Sequence, residues 1–169
     1  QAAVVAESFR QSGAERVVLA RDRQEGESLW RARRAVSGAL GRLRPNRLGE
    51  DIAVPRTAIP EAVARIEAIA RRFDLLIAMF GHAGDGNLHP NILCDLRDRE
   101  EMRRVLQAAD AIFDVALSLG GTISGEHGVG MLKRGYIARA VSGPALELMR
   151  QIKALLDPKG LLNPGKVLP

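Results

Sequence analysis

The sequence predicts an α+β fold in which helices cover one face of an antiparallel sheet. Two apolar runs, 75–80 and 87–94, flank an Asp-Gly pair, which is a strong hairpin signal because both turn positions need a positive φ. Helical periodicity precedes and follows this hairpin, over 60–73 and 98–119. Because hairpin strands are antiparallel, this order favours an α+β sandwich over a doubly wound parallel sheet.

The remaining elements follow from periodicity and from chain-breaking residues. A helix over 1–10 lacks a convincing N-cap, so we expect the chain to begin inside an element of a longer protein. The other expected elements, in chain order, are a β-rich run at 16–20, a helix at 25–43, a strand at 51–54, a glycine-rich loop at 120–130, helical segments near 131–140 and 144–156, and an extended tail.

Composition fits one domain of an ordinary globular protein, with 46% hydrophobic and 27% charged residues among 169. No apolar run approaches the roughly 20 residues that span a bilayer, and no signal peptide opens the chain, so we expect a cytoplasmic protein. The single cysteine, Cys94, lies in an apolar strand and is expected to be a buried structural thiol. Although the net charge is +5, scattered basic residues and 4% aromatic content argue against nucleic-acid binding.

Two histidines, His82 and His89, flank the Asp-Gly pair. If Asp85 and Gly86 form a two-residue turn, His82 lies directly opposite His89, with Cβ atoms roughly 4.5–5.5 Å apart. Two imidazoles at that separation can bind one metal ion at about 2.0–2.1 Å each. A tight turn flanked by two polar histidines is the alternative interpretation, and a third ligand elsewhere would decide between them.

The glycine loop, residues 120–130, contains five glycines and allows backbone conformations that helices and strands exclude. Such a loop can hold Glu126 and His127 against a ligand. With His82 and His89, Glu126 would complete a two-histidine, one-carboxylate set that leaves coordination positions open, as in catalytic metal sites. Exposed side chains on an ordinary glycine loop are the alternative. No glycine segment has the spacing or context of a nucleotide-binding motif.

Four more side chains share faces with predicted site or helix positions. Asn91 lies two residues beyond His89 on the same strand face, where its amide could hold a substrate carboxylate or cap the strand end. Trp30, Arg33 and Ser37 share one face of the second helix at helical spacing. We expect Trp30 in the core, and Arg33 to be either a surface charge or an anion clamp.

Three motifs in order resemble the C-terminal domain of FAD-linked oxidases, which include D-lactate dehydrogenases, the glycolate oxidase D subunit and D-2-hydroxyglutarate dehydrogenases. They are Gly-His-x-Gly-Asp-Gly-Asn-Leu-His at 81–89, Ser-Gly-Glu-His-Gly-Val-Gly at 124–130, and Asp-Pro-x-Gly-x-Leu-Asn-Pro-Gly-Lys at 157–166. The resemblance runs from about Ser28 to the end, and 54–60 also looks like the family's substrate-domain segment.

The resemblance implies a ferredoxin-like α+β domain that caps a separate, N-terminal FAD-binding domain. Residues 1–169 would then be a single substrate- and metal-binding domain, a fragment that alone neither holds flavin firmly nor turns over. The implied roles are a divalent metal, zinc in the best-understood members, on His82, His89 and Glu126; a catalytic base at His127; substrate contacts from Asn91, Arg33 and Ser37; and a position near the flavin for Asn163 and Lys166.

The implied activity is flavin-dependent oxidation of a D-2-hydroxy acid, such as glycolate or D-lactate, to the 2-oxo acid, with hydride passing to FAD. Implied partners are a FAD-binding domain or subunit, an electron-acceptor subunit and a second copy of the chain, in the cytoplasm or peripherally at the inner membrane. Relatives carry Tyr or Lys where this chain has Arg47-Leu48-Gly49, which leaves the substrate open. Two alternatives are a metal-dependent hydrolase, although no helical His-Glu-x-x-His occurs, and a non-catalytic α+β binding or oligomerisation module.

Overall fold

A computed structural model describes all 169 residues, and the chain divides into two compact units, 1–42 and 43–169. The first unit contains α1 (Ala2–Gln11) and α2 (Arg23–Leu40). Asp22 begins α2 by accepting a hydrogen bond from the Glu25 N–H. Two expectations are wrong here. The run at 16–20 forms no strand, since no other strand pairs with it. Trp30 does not lie in the core: it is 61% exposed, and no residue of α2 is buried.

The second unit is built around an antiparallel sheet. Its elements, in chain order, are β1 (Asn46–Gly49), β2 (Ile52–Ala53), α3 (Ile59–Phe73), β3 (Leu76–His82), β4 (Asn87–Cys94), α4 (Arg99–Ser118), α5 (Ile137–Ala140) and α6 (Gly143–Leu156), with short 3₁₀ turns at Arg56–Ala58 and Arg134–Tyr136. The predicted strand at 51–54 is therefore shorter than expected, and β1 is an additional strand. No helix is both long and apolar enough to cross a membrane.

Strand β4 is central, with β3 on one side and both β1 and β2 on the other, all antiparallel to it. A single antiparallel bridge, Ala53 to Thr122, continues the sheet beyond β2. With α3 before β3 and α4 after β4, this is the strand order of a ferredoxin-like fold whose last strand is reduced to one bridge. The α+β, ferredoxin-like prediction is confirmed.

The two faces of β4 have different chemistry although every residue of the strand is buried. Leu88, Ile92 and Cys94 belong to the apolar core, together with buried side chains of α3 and α4. The expectation of a buried Cys94 is confirmed, and burial raises the pKa of its thiol. Because strand side chains alternate, Asn87, His89 and Asn91 lie on the opposite face. The site is built on that face.

The hairpin does not have the predicted register. Its loop is four residues long, 83–86, and the register pairs Phe80 with His89 and His82 with Asn87. The predicted turn needs a positive φ at both central residues, but of Asp85 and Gly86 only Gly86 has one, +80°. Both of their N–H groups donate to the His82 carbonyl instead, at 3.3 and 3.1 Å. His82 therefore lies diagonally across from His89, not opposite it.

Candidate functional site

The site begins with His89, which β4 holds at 6% exposure. Its ring lies against Phe80, the residue opposite it in the sheet, with centroids 5.5 Å apart. The diagonal neighbour His82 approaches the same ring edge-on, with centroids 5.3 Å apart. The two histidines thus meet despite the wrong register, because diagonal residues share a sheet face and long side chains can span the gap.

The glycine loop brings a carboxylate to this histidine pair. Oε1 of Glu126 lies 3.2 Å from Nε2 of His89 and 3.7 Å from Nε2 of His82. One ligand atom from each residue lies within 4.8 Å of the others. The structure therefore brings together the three side chains that the sequence analysis grouped.

His127 completes what we call the histidine site: His82, His89, Glu126 and His127. Its ring stacks on His89 with centroids 5.2 Å apart and planes 16° apart, and its Nε2 is 3.7 Å from Oε1 of Glu126. His89 is buried, whereas the other three side chains are about half exposed. A small polar molecule can reach the exposed groups from solvent while one imidazole stays fixed.

Asp51 holds the loop that carries Glu126 and His127. Its Oδ2 accepts hydrogen bonds from the backbone N–H groups of Gly125, Glu126 and His127, at 2.8–3.0 Å, and from the Ser124 hydroxyl at 2.9 Å. Asp51 is completely buried, between β1 and β2. Four donors on one carboxylate oxygen fix the loop backbone against the sheet.

A buried lysine, Lys133, also stabilises this region. Nζ of Lys133 donates to the backbone carbonyls of Asp51 and Ile123, at 2.7 and 2.8 Å, and lies 3.8 Å from the buried carboxylate of Glu50. Burial lowers the pKa of Lys133 and raises that of Glu50, while each partner's charge opposes the shift. Lys133 thus links the segment that contains Asp51 to the segment that contains Ile123.

Burial and hydrogen bonding together set the protonation of the two central groups, His89 and Asp51. Burial lowers the pKa of His89, so this imidazole is neutral near pH 7 and can offer a lone pair to a metal. For Asp51, burial would raise the pKa, but the N–H groups of His127 and Glu126, with other donors, outweigh it and leave the pKa below its usual value. Asp51 is therefore a carboxylate at neutral pH.

A divalent metal fits the donors present. Tetrahedral zinc with bonds of about 2.0–2.1 Å places two ligand atoms about 3.3 Å apart, close to the separation of His89 Nε2 and Glu126 Oε1. Nδ1 of His89 is buried without a hydrogen-bond partner and faces Oδ1 of Asp51, equally buried and unpartnered, at 3.8 Å. An imidazole backed by a carboxylate is the usual arrangement for a metal-binding histidine. A second set of donors, Asp51, His89 and His127, is also close enough to bind one ion.

The other predicted site residues lie in three places. Asn91 is buried on the His89 face of β4, and its Nδ2 donates to the His89 carbonyl at 2.8 Å. Asn163 and Lys166 line a groove of about 730 Å³ between α6 and the tail, and the tail returns to the glycine loop through a hydrogen bond from Val167 N–H to the Gly130 carbonyl. Arg33 and Ser37 lie on α2, in the other compact unit, so their substrate contacts stay predictions.

The sequence analysis missed Asp51, Ser124, Lys133 and Glu50. Asp51 was expected only as the start of a strand, and its partners are 73–76 residues further along the chain. The one available signal was an acidic pair, Glu50-Asp51, immediately before an apolar strand. Without the pairing of β1 and β2 to β4, nothing connects that pair to His89.

A ferredoxin-like sheet whose polar face carries two histidines, with a Glu-His pair of the glycine loop beside them, defines an α+β domain with a candidate metal site, and sequence comparison supplies its family. The family model described as "FAD linked oxidases, C-terminal domain" matches residues 1–167, and the chain belongs to this family. The predicted family is thereby confirmed.

Individual relatives agree. The chain is 46% identical over 151 residues to glycolate oxidase subunit GlcD of Bacillus subtilis, and 35% identical over 170 residues to the probable mitochondrial D-lactate dehydrogenase of Danio rerio. It is 36% identical over 154 residues to D-2-hydroxyglutarate dehydrogenase of Stutzerimonas stutzeri. These matches cover 89–99% of the chain but only 32–34% of each relative. The chain thus spans about a third of the length of these relatives.

Proposed function

We propose that this chain is the substrate- and metal-binding part of a flavin-dependent oxidoreductase that converts a 2-hydroxy acid to the 2-oxo acid. FAD would be held mainly by a domain outside this chain. The observation that carries the proposal is the convergence of His82 and His89 on the carboxylate of Glu126, with His127 stacked alongside, in a chain of the FAD linked oxidase family. The names of the relatives favour short 2-hydroxy acids, such as glycolate and D-lactate.

Each side chain of the site has a distinct role in this proposal. His82, His89 and Glu126 would hold a divalent metal, zinc in our proposal, and His127 would take the proton from the substrate hydroxyl. When bound, the metal acts as a Lewis acid toward the hydroxyl and carboxylate oxygens, and the flavin accepts the hydride. His127 suits the role of base because it is half exposed and its backbone N–H is fixed by Asp51.

The substrate contacts are a finer part of the proposal. The amide of Asn91, on the His89 face of β4, would help orient the substrate, while Arg33 and Ser37 would contact its carboxylate. Asn163 and Lys166 would lie near the flavin, since both belong to the tail that returns to the glycine loop. Arg47-Leu48-Gly49 on β1 would set which acid is accepted.

Metal analysis of the purified chain tests the ligand set. We expect one equivalent of zinc to remain after gel filtration at neutral pH, measured by mass spectrometry of the metal. His82→Ala should lose it, whereas His127→Ala should keep it, because His127 is not a ligand in our set. Zinc lost from His127→Ala but kept by His82→Ala would indicate the Asp51, His89 and His127 set instead. No stoichiometric metal in the parent chain would favour the non-catalytic module.

A test of the role of His127 needs a flavin. We would therefore replace the matching third of the Bacillus subtilis relative with this chain. The chimera should show glycolate-dependent or lactate-dependent bleaching of the flavin absorbance under anaerobic conditions. His127→Ala in the chimera should slow flavin reduction about 10²–10⁴-fold, as expected for loss of a general base, with the metal retained. Flavin reduction near the parent rate would show that His127 is not the base.

A further inference from the structure

We propose that Asp51 is a positioning residue for the metal site: it holds His89 in the Nδ1–H tautomer and ties that ring to the loop carrying Glu126. The inference rests on the proposed metal site, because it explains how Nε2 of His89 is kept free to bind. Asp51 does not touch the metal or the substrate in this proposal.

The first observation is the pair of buried atoms that face each other. Oδ1 of Asp51 and Nδ1 of His89 are both buried without a hydrogen-bond partner, 3.8 Å apart. The register of β1 and β2 with β4, Gly49 to Asn91 and Ile52 to Leu88, places Asp51 opposite His89. Cross-strand neighbours of this kind keep their side chains on one face, so the two groups are set toward each other by the sheet.

The second step is a choice between two tautomers of His89. An Asp51 carboxylate oxygen can only accept a hydrogen bond, so it stabilises an N–H on the ring nitrogen that it faces. The other tautomer would place two acceptors against each other where no solvent reaches, which is costly. With the proton on Nδ1, the lone pair of Nε2 stays available 3.2 Å from Oε1 of Glu126, and a cation between those two atoms would satisfy both. Without a cation the half-exposed Glu126 carboxylate can turn to solvent, which the buried Asp51 cannot do.

The third observation is that the carboxylate cannot rotate freely. Its other oxygen, Oδ2, accepts four hydrogen bonds from residues 124–127. Rotation of the carboxylate would disrupt those four bonds. One side chain therefore fixes both the ring orientation of His89 and the backbone position of Glu126, two of the three proposed ligands, relative to each other.

Asp51→Asn is the informative variant, because the loop needs an acceptor at the Oδ2 position. The amide oxygen would take that position and the NH₂ would face His89, where it donates to Nδ1 and favours the Nε2–H tautomer. A loop clamp alone would tolerate this change. A positioning role predicts that the tautomer reverses and that zinc affinity falls about 10–100-fold, the usual cost of losing a carboxylate behind a metal-binding histidine.

The tautomer can be read directly from two-bond ¹H–¹⁵N correlation spectra of the ¹⁵N-labelled 169-residue chain. We expect Nδ1–H on His89 in the metal-free parent chain, and zinc bound through Nε2 when metal is added. Asp51→Asn should show Nε2–H without metal and weaker zinc binding in competition with a chelator. Ser124→Ala is the matched control, since it removes one donor to Oδ2 and leaves Oδ1 facing His89; its tautomer should not change.

Three results would overturn the inference: Nε2–H on His89 in the metal-free parent chain, zinc bound through Nδ1, or an Asp51→Asn variant with the parent tautomer and affinity. The first of these needs neither metal nor a folded variant. A parent chain that binds no zinc but shows Nδ1–H would contradict the proposed function and leave the tautomer assignment supported. The failures of the two proposals are therefore distinguishable.

Discussion

Asp51 and Asp157 each hold a glycine-containing segment by accepting backbone N–H groups, yet they use their oxygens differently. Asp157 uses both: Oδ1 accepts from Leu161 N–H, and Oδ2 accepts from Leu162 N–H and from the Lys153 ammonium. Asp51 concentrates four donors on Oδ2 and leaves Oδ1 without a donor. The spare oxygen distinguishes a carboxylate that only closes a turn from one that also serves a neighbouring ring.

The surroundings of the two aspartates, Asp157 and Asp51, differ as well. Asp157 follows α6 and lies one helical turn from its cation, at the edge of the tail. Asp51 lies within the sheet, and its cation, Lys133, is occupied with backbone carbonyls, its Nζ 4.0 Å from Oδ2. Buried donors and acceptors without partners are rare, because each costs about 1–3 kcal/mol. The unpartnered Oδ1 of Asp51 therefore points to a role in the site.

The largest expected effect is on stability. Asp51→Ala should lower the free energy of unfolding by about 3–5 kcal/mol, since it leaves three loop N–H groups without an acceptor and Lys133 without one of its carboxylate neighbours. Asp157→Ala should lower it less, because that carboxylate accepts two backbone N–H groups instead of three and is less deeply buried. Urea unfolding of the metal-free proteins, followed by circular dichroism, compares the two. Equal losses would remove the distinction between the two aspartates.

The same contrast explains what the sequence could predict. The tail motif at 157–166 is local: Asp157 bonds residues four and five positions ahead, so its residues stand together in the sequence. Amphipathic helices are local too, and the helix expected at 98–119 is observed as Arg99–Ser118, with Asp98 as its N-cap. The role of Asp51 depends on the pairing of β1 and β2 with β4 and on hydrogen bonds to residues 73–76 positions further along the chain, which no short pattern encodes.

The histidine site is intermediate between these two cases in how far the sequence predicts it. His82, His89 and Glu126 could be grouped from residue types, because histidines on one hairpin and a carboxylate on a glycine loop form a recognisable ligand set. The predicted register is wrong because the turn geometry depends on the contact of Gly86 with Val54 as well as on the Asp-Gly pair. His82 and His89 nevertheless lie close together, with ring centroids 5.3 Å apart. β1 escaped prediction because Asn-Arg-Leu-Gly at 46–49 has a single apolar side chain.

A smaller effect should come from Gly125, which precedes the proposed ligand Glu126 in the loop held by Asp51. A Cβ on Gly125 would lie 2.5 Å from the buried side-chain amide of Asn87, so Gly125→Ala should cost about 1–3 kcal/mol through overpacking and should weaken zinc binding by displacing Glu126. Gly135→Ala is the control, because nothing lies within 4 Å of its Cβ position.

Truncating the Asn87 side chain should reverse part of the stability loss caused by Gly125→Ala. In the double variant Gly125→Ala/Asn87→Ala, the new methyl group has room, and the loss of unfolding free energy should be smaller than the sum of the two single losses. Additive losses would show that the cost of Gly125→Ala does not come from contact with the Asn87 side chain. Urea titration of the four proteins gives the coupling.

The smallest effect should appear at Asp157, as a pH dependence confined to the tail. Hydrogen bonds from Lys153 and from the N–H groups of Leu162 and Leu161 lower its pKa to about 2, below the roughly 3.9 of an unfolded aspartate. Because the folded-state pKa is depressed, the stabilisation from this group is complete above about pH 4 and is lost as the pH falls through 2. The amide signals of Leu161 and Leu162 should therefore shift with a midpoint near 2 in an NMR titration, and Asp157→Asn should abolish the shift. A midpoint near 3.9 would mean that the carboxylate does not hold the tail, and only the clamp at Asp51 would then be structural.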